Sequence, residues 1–155
     1  MARDKKSAEL YAPRNILEKY SVNCGVKISR PAVASSYFPL LDEKYIIIDG
    51  RNKYKTNIYD LFPDVLAYLK KSFDNKGIKV YAFNEKKEDV MMGTEPFINL
   101  TKKQEAYLIK NSLLVLSGDN LTAYHAAALG VPCVALYSAY PAACTAPLWE
   151  MYIRQ

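Results

Sequence analysis

The chain alternates between short runs that are apolar at every position and longer stretches in which apolar residues recur at helical spacing. Tyr45-Ile46-Ile47-Ile48 is the first unbroken run, the pattern of a strand buried on both faces, and Asp49 to Asn57 follows as a polar loop. Val65, Leu66, Leu69 and Phe73 then form a helical stripe. Pro63 suits its first turn, Asp60 lies upstream as a cap, and Asn75-Lys76-Gly77 supplies the stop. Ile78 to Phe83 predicts a second strand, Glu85 to Asp89 a polar turn or short helix, and Phe97 to Leu100 a brief third strand. Thr101-Lys102-Lys103-Gln104 has capping-box spacing, in which the Thr hydroxyl accepts from the third residue's N–H while Gln reaches back. Ala106, Tyr107 and Ile109 carry that helix to Asn111. Leu113 to Ser117 predicts a fourth strand, and Gly118-Asp119-Asn120 turns into a helix over Leu121 to Leu129 that Gly130 stops. Pro132 to Tyr137 predicts a fifth strand.

Continuous apolar strands separated by helical segments predict a parallel sheet covered on both faces, each connection crossing in the right-handed sense. The expected class is α/β: a Rossmann-like three-layer α/β/α domain with a mainly parallel five-stranded sheet. Upstream, residues 13–23 place Ile16, Leu17 and Tyr20 at helical spacing before Gly25, and residues 26–39 have the weak periodicity and the prolines of a connector. Residues 1–42 are therefore read as an N-terminal helix and connector, and residues 43–155 as the domain.

Composition narrows the classes. With 155 residues, half of them apolar and 24% charged, the chain can bury one core and is not disordered. No stretch approaches the length of a membrane span, and the most apolar window, Val131 to Trp149, is broken by Pro132, Pro141 and Pro147. The N-terminal residues do not resemble a secretory signal, so a cytoplasmic setting is expected. Cys24, Cys133 and Cys144 are widely spaced, without C-x-x-C or nearby His, which argues against a disulfide framework and a zinc site; no metal is expected. The net charge is +5, and residues 1–30 hold 7 basic and 3 acidic residues. Elsewhere Lys70-Lys71, Lys86-Lys87 and Lys102-Lys103 are short pairs set among acids, not the concentrated stripe of a nucleic-acid binder.

In an open parallel sheet ligands gather at the carboxyl ends of the strands, and two loops there carry candidate chemistry. The loop after the first strand holds Arg51, Lys53 and Lys55, which either clamp phosphates or form a solvated basic surface. The turn from Ser117 to Thr122 places a helix N-terminus, with free N–H groups and partial positive charge, where a diphosphate could sit. Asp119, Asn120 and Thr122 serve equally as ordinary cap residues.

Residues 117–141, SGDNLTAYHAAALGVPCVALYSAYP, resemble the nucleotide-sugar-binding signature of the family 9 glycosyltransferases, the ADP-heptose:lipopolysaccharide heptosyltransferase group. KYIIIDGRNKYK, FPDVLAYLKKSFDNKGIKVYAF and INLTKKQEAYLIKNSLLVLSGD extend the likeness in the family's order over residues 45–141. The resemblance implies one half of a GT-B architecture, the half that holds a nucleotide diphosphate sugar as substrate, with no further cofactor. It also implies an acceptor-binding domain or partner chain. On that basis Lys53 or Lys55 pairs with the diphosphate, Asp119-Asn120-Leu121 presents backbone N–H groups to it, and Glu85 or Glu88 lies near the nucleoside. Two positions depart from the family: Leu121 stands where it has Gly, and Tyr124 where it has His, with His125 one residue later. A protonated His could supply charge that a neutral Tyr does not, and one residue on a helix is about 100° of rotation. No catalytic residue is identifiable. The alternative expectation is a non-catalytic glycosyltransferase-like domain used for assembly or for carbohydrate or partner recognition, which the 13 tyrosines would suit.

Overall fold

The fold is built around a strand that is buried at every position, β1 (Tyr45–Asp49). It lies at the centre of a five-stranded sheet of order β3-β2-β1-β4-β5, where β2 is Lys79–Asn84, β3 Glu95–Ile98, β4 Val115–Gly118 and β5 Cys133–Leu136. Every pairing is parallel, with Ile47 opposite Tyr81 on one side and Val115 on the other. The α/β, Rossmann-like class is therefore the observed one, and the computed structural model describes residues 15–39, 43–51, 58–86, 90–137 and 141–147.

Strand side chains alternate between two cores. Ile46, Ile48, Val80 and Leu116 pack with Phe62 and Leu66 of helix α2 (Phe62–Asp74). Tyr45, Ile47, Tyr81, Phe83 and Val115 pack on the opposite face with Leu108 and Ile109 of α3 (Lys102–Asn111) and Ala126 of α4 (Leu121–Leu129). The Tyr45 hydroxyl donates to the Leu108 carbonyl at 2.8 Å, so even this buried phenol is satisfied. Ala123, Ala126 and Ala128 are buried on α4, where small side chains let the helix lie close to the sheet.

Local signals landed well where a single residue type decides the conformation. Gly77 (φ 62°) and Gly130 (φ 75°) end their helices in the left-handed region that side chains with a Cβ disfavour. Thr101 and Gln104 form the capping box, the Thr101 hydroxyl accepting from the Gln104 amide at 3.3 Å and Gln104 Oε1 accepting from the Thr101 amide at 2.9 Å. Boundaries moved elsewhere. The third strand is Glu95–Ile98, two residues earlier than Phe97 to Leu100, because Asn99 takes a positive φ (57°) and ends the extended run. Asp60 is not the cap of α2. Leu61 holds that place and makes no side-chain cap bond, and with Pro63 near its start the helix begins one residue beyond Asp60's reach.

Met1–Arg30 with Tyr140–Gln155 and Pro31–Ala139 form two compact units. In the first, α1 (Ile16–Cys24) is capped by Asn15, whose Oδ1 accepts from the Leu17 amide at 3.0 Å. The Asn15 amide group donates to the Ala143 and Ala146 carbonyls at 3.2 and 2.9 Å, around the short α5 (Ala142–Thr145), a helix within the proline-broken window Val131 to Trp149. In the second unit residues 31–39 form neither helix nor strand, yet Phe38 packs edge-on against Phe97, and the Ser36 amide donates to the Lys103 carbonyl. Among the described residues no helix is long and apolar enough to cross a membrane.

Candidate functional site

Because β2 and β3 run to one side of β1, and β4 and β5 to the other, the crossovers leave on opposite faces and diverge between the carboxyl ends of β1 and β4. Asp49 ends β1 at that point, directly opposite Ser117. Its carboxylate is buried and accepts from Arg51 Nε and Nη2, both at 2.9 Å, from the Arg51 amide at 3.0 Å and from the Thr122 hydroxyl at 2.6 Å. Arg51 Nη1 donates in turn to Glu105 Oε1 at 2.8 Å. Lys102, one turn earlier on α3, places its ammonium 2.9 Å from the other Glu105 oxygen. The guanidinium carbon lies 5.2 Å from the centroid of the Phe83 ring, within cation–π range.

These four charges balance as two carboxylates and two cations, and each shapes the next. Burial opposes the charge on Arg51, but Asp49 and Glu105 outweigh it and raise its pKa. Burial likewise pushes the Glu105 carboxyl upward, yet Arg51 and then Lys102 outweigh it and hold Glu105 below its ordinary value. Neither Asp49 nor Glu105 stood out among the sequence candidates. A signal was available for Glu105: it shares the face of α3 that carries Leu108 and Ile109, where a carboxylate needs a buried cation.

The turn before α4 is satisfied by its own side chains. Asn120 caps the helix, Oδ1 accepting from the Thr122 amide at 2.9 Å and from the Ser117 hydroxyl at 2.8 Å, while the Asn120 amide N–H donates to the Gly118 carbonyl. Leu121 is 51% exposed. Tyr124 and Tyr137 are pushed up by burial and then by the Asp119 charge, Tyr137 to about 12. His125 is half-buried. Its pKa is lowered by burial against the opposing pull of Glu105, and its Nδ1 has no hydrogen-bond partner among the described residues. Burial pushes the Cys133 thiol up to about 11, which disfavours the thiolate.

On the α2 side of the same strand ends lies a cleft of about 420 Å³. Gly50, Arg51, Phe83, Asn84 and Glu85 form its strand-end wall, and Tyr59, Asp60, Phe62 and Met91 face them. Gly50 gives a close approach: a Cβ there would lie 3.2 Å from the Phe62 ring, which would have to give by a few tenths of an ångström. The half-buried Tyr59 ring beside the Asp60 and Glu85 carboxylates suits a planar, hydroxyl-bearing ligand better than a bare anion. Of the candidate residues, Arg51 and Glu85 border this cleft, Asn120 and Thr122 reach Asp49 at the switch point, and His125 does not border the cleft. Lys53, Lys55 and Glu88 lie outside the described residues.

The architecture is a glycosyltransferase-like one, as comparison with solved structures shows. The dodecameric iron-containing glycosyltransferase TibC from enterotoxigenic E. coli H10407 superposes with a TM-score of 0.61 at 18% identity, over 81% of this chain and 37% of that one. TibC has also been solved with ADP-D-beta-D-heptose. E. coli ADP-heptose lps heptosyltransferase II matches with a TM-score of 0.55 at 19% identity, over 84% of this chain and 40% of that one. The glycosyl transferase family 9 protein from Veillonella parvula DSM 2008 gives 0.54 at 18%, over 86% and 37%. At these identities the likeness is one of fold, and this chain spans less than half the length of each. No family model and no curated protein matches the sequence.

Proposed function

We propose that this chain is the donor-binding half of a glycosyltransferase, taking a nucleotide diphosphate sugar at the cleft and stabilising the departing nucleotide diphosphate. The observation that carries this reading is the cleft itself, at the carboxyl ends of β1 and β2 in a fold shared with a heptosyltransferase solved with ADP-D-beta-D-heptose. Tyr59 offers a partly exposed ring for a base, Glu85 offers acceptors for ribose hydroxyls, and Lys53 or Lys55 supplies charge for the diphosphate. As the bond from the sugar to the departing oxygen breaks, negative charge grows on that diphosphate, and fixed cations lower the barrier most when they face it. The base that activates the acceptor hydroxyl belongs to an acceptor-binding domain or partner chain.

One observation favours the second reading, a non-catalytic domain used for assembly or recognition. Arg51 is engaged by two carboxylates and the Asn120 side chain occupies the Thr122 amide, so the switch point already uses groups that a diphosphate would seek. Melting of the chain against nucleoside diphosphates and their sugars, with Lys53→Ala/Lys55→Ala as control, separates the two. Ligand at 100 times its Kd adds about 2.7 kcal/mol, a rise of about 5–10 °C for a domain of this size. A selective rise that the control loses establishes the donor site, and a flat panel at millimolar ligand leaves the assembly reading.

A further inference from the structure

Helix α4 needs only an acceptor at its cap, and Ser, Thr or Asp would provide one as well as Asn does. What asparagine adds is a pair of donors, and both are used. Nδ2 of Asn120 donates to the Asp49 carbonyl at 3.2 Å and to the Arg51 carbonyl at 2.9 Å. With Oδ1 accepting from Thr122 and Ser117, the carboxamide has all four of its hydrogen-bonding positions filled. Its orientation is forced, because the two carbonyls can only accept and the Thr122 amide can only donate. One side chain therefore ties the end of β4 and the start of α4 to the backbone that follows β1. The two carbonyls flank Gly50, and Gly50 and Arg51 are the cleft wall that approaches Phe62. Thr122 and Glu105 hold the side chains of Asp49 and Arg51, whereas Asn120 holds the main chain between them.

We propose that Asn120 is a positioning residue that pins the Asp49–Arg51 backbone as the wall of the ligand cleft, a role that rests on the donor-site reading and needs no contact between Asn120 and the ligand. Asn120→Asp tests it, since aspartate keeps the cap acceptor and removes both donors. Titrated with ADP, the variant should bind about ten-fold more weakly, and the melting temperature of the unliganded chain should fall by several degrees, because two backbone carbonyls lose their donors and face a carboxylate instead. Amide exchange at Gly50 and Arg51 should accelerate by about ten-fold relative to Leu116 in β4. A residue serving only as cap would keep both its melting temperature and its ADP affinity on this substitution, because aspartate still caps, so ADP affinity within about two-fold of wild type overturns the positioning role. Unchanged exchange at Gly50 and Arg51 overturns the clamp whether or not ADP binds. If the wild-type chain takes no ADP, the donor reading falls and the exchange measurement alone upholds or overturns the clamp. Should Asn120→Asp fail to fold, Asn120→Ser makes the same separation with an uncharged acceptor.

Discussion

The two flanks of the carboxyl end of β1 differ in how their polar groups are satisfied. Toward α3 and α4, Asp49, Arg51, Glu105, Thr122 and Asn120 satisfy one another at distances between 2.6 and 3.2 Å. Toward α2, Asp60 and Glu85 border a cleft of about 420 Å³ that Tyr59 and Met91 also line. A polar group that is matched inside the protein stabilises the fold, and one that faces an open cavity can be matched by a ligand. Among the described residues, the polar groups between the ends of β1 and β4, where the topology alone would place a ligand, are engaged by protein side chains, and the cleft lies one strand over, at the ends of β1 and β2.

Asp49→Ala breaks the closed flank most severely. It leaves Arg51 with one carboxylate and the Thr122 hydroxyl without its acceptor, and urea unfolding should show a loss of about 3–5 kcal/mol. A loss under about 1 kcal/mol would mean that the flank is a set of weak surface pairs.

Acid acts on the same cluster. Glu105 has a lower pKa folded than unfolded, so in the acid range the unfolded chain binds the extra proton more readily. Its contribution is complete above the ordinary glutamate value and is lost as pH falls below it. The urea midpoint of Glu105→Gln should accordingly fall less steeply than that of wild type between about pH 6 and pH 3. Parallel curves would assign the acid sensitivity to other carboxylates.

Thr122→Val keeps the shape and removes a hydrogen bond to a buried carboxylate, and about 1.5–3 kcal/mol should go with it. The smallest effect belongs to the open flank. Glu85 is exposed and joins no ion pair among the described residues, so Glu85→Ala should unfold within about 0.5 kcal/mol of wild type while losing the thermal shift from nucleotide sugars. A large stability loss there would erase the distinction between the flanks.

Much of this was legible along the chain. Strand β1 announced itself by four consecutive apolar residues, α3 by Thr101 and Gln104, and α4 by Gly130, because each signal is local and a neighbouring residue decides it. Arg51 and the turn at Asn120 were picked out as candidates for the sound reason that they follow strands. Their partners were not legible. Glu105 is 54 residues from Arg51, and Asn120 is 71 from Asp49, so no spacing rule connects them.

The sequence by itself determined the alternation of strands and helices and the caps at Thr101 and Gly130, since backbone conformation and the burial of apolar runs follow from residues within a turn or two of one another. Only the tertiary structure decided the order β3-β2-β1-β4-β5 and, through the register that sets Asp49 opposite Ser117, which polar groups meet. Whether a charged residue is bound by the protein or offered to a ligand depends on what lies within about 3 Å of it, and that is a property of pairing between distant segments.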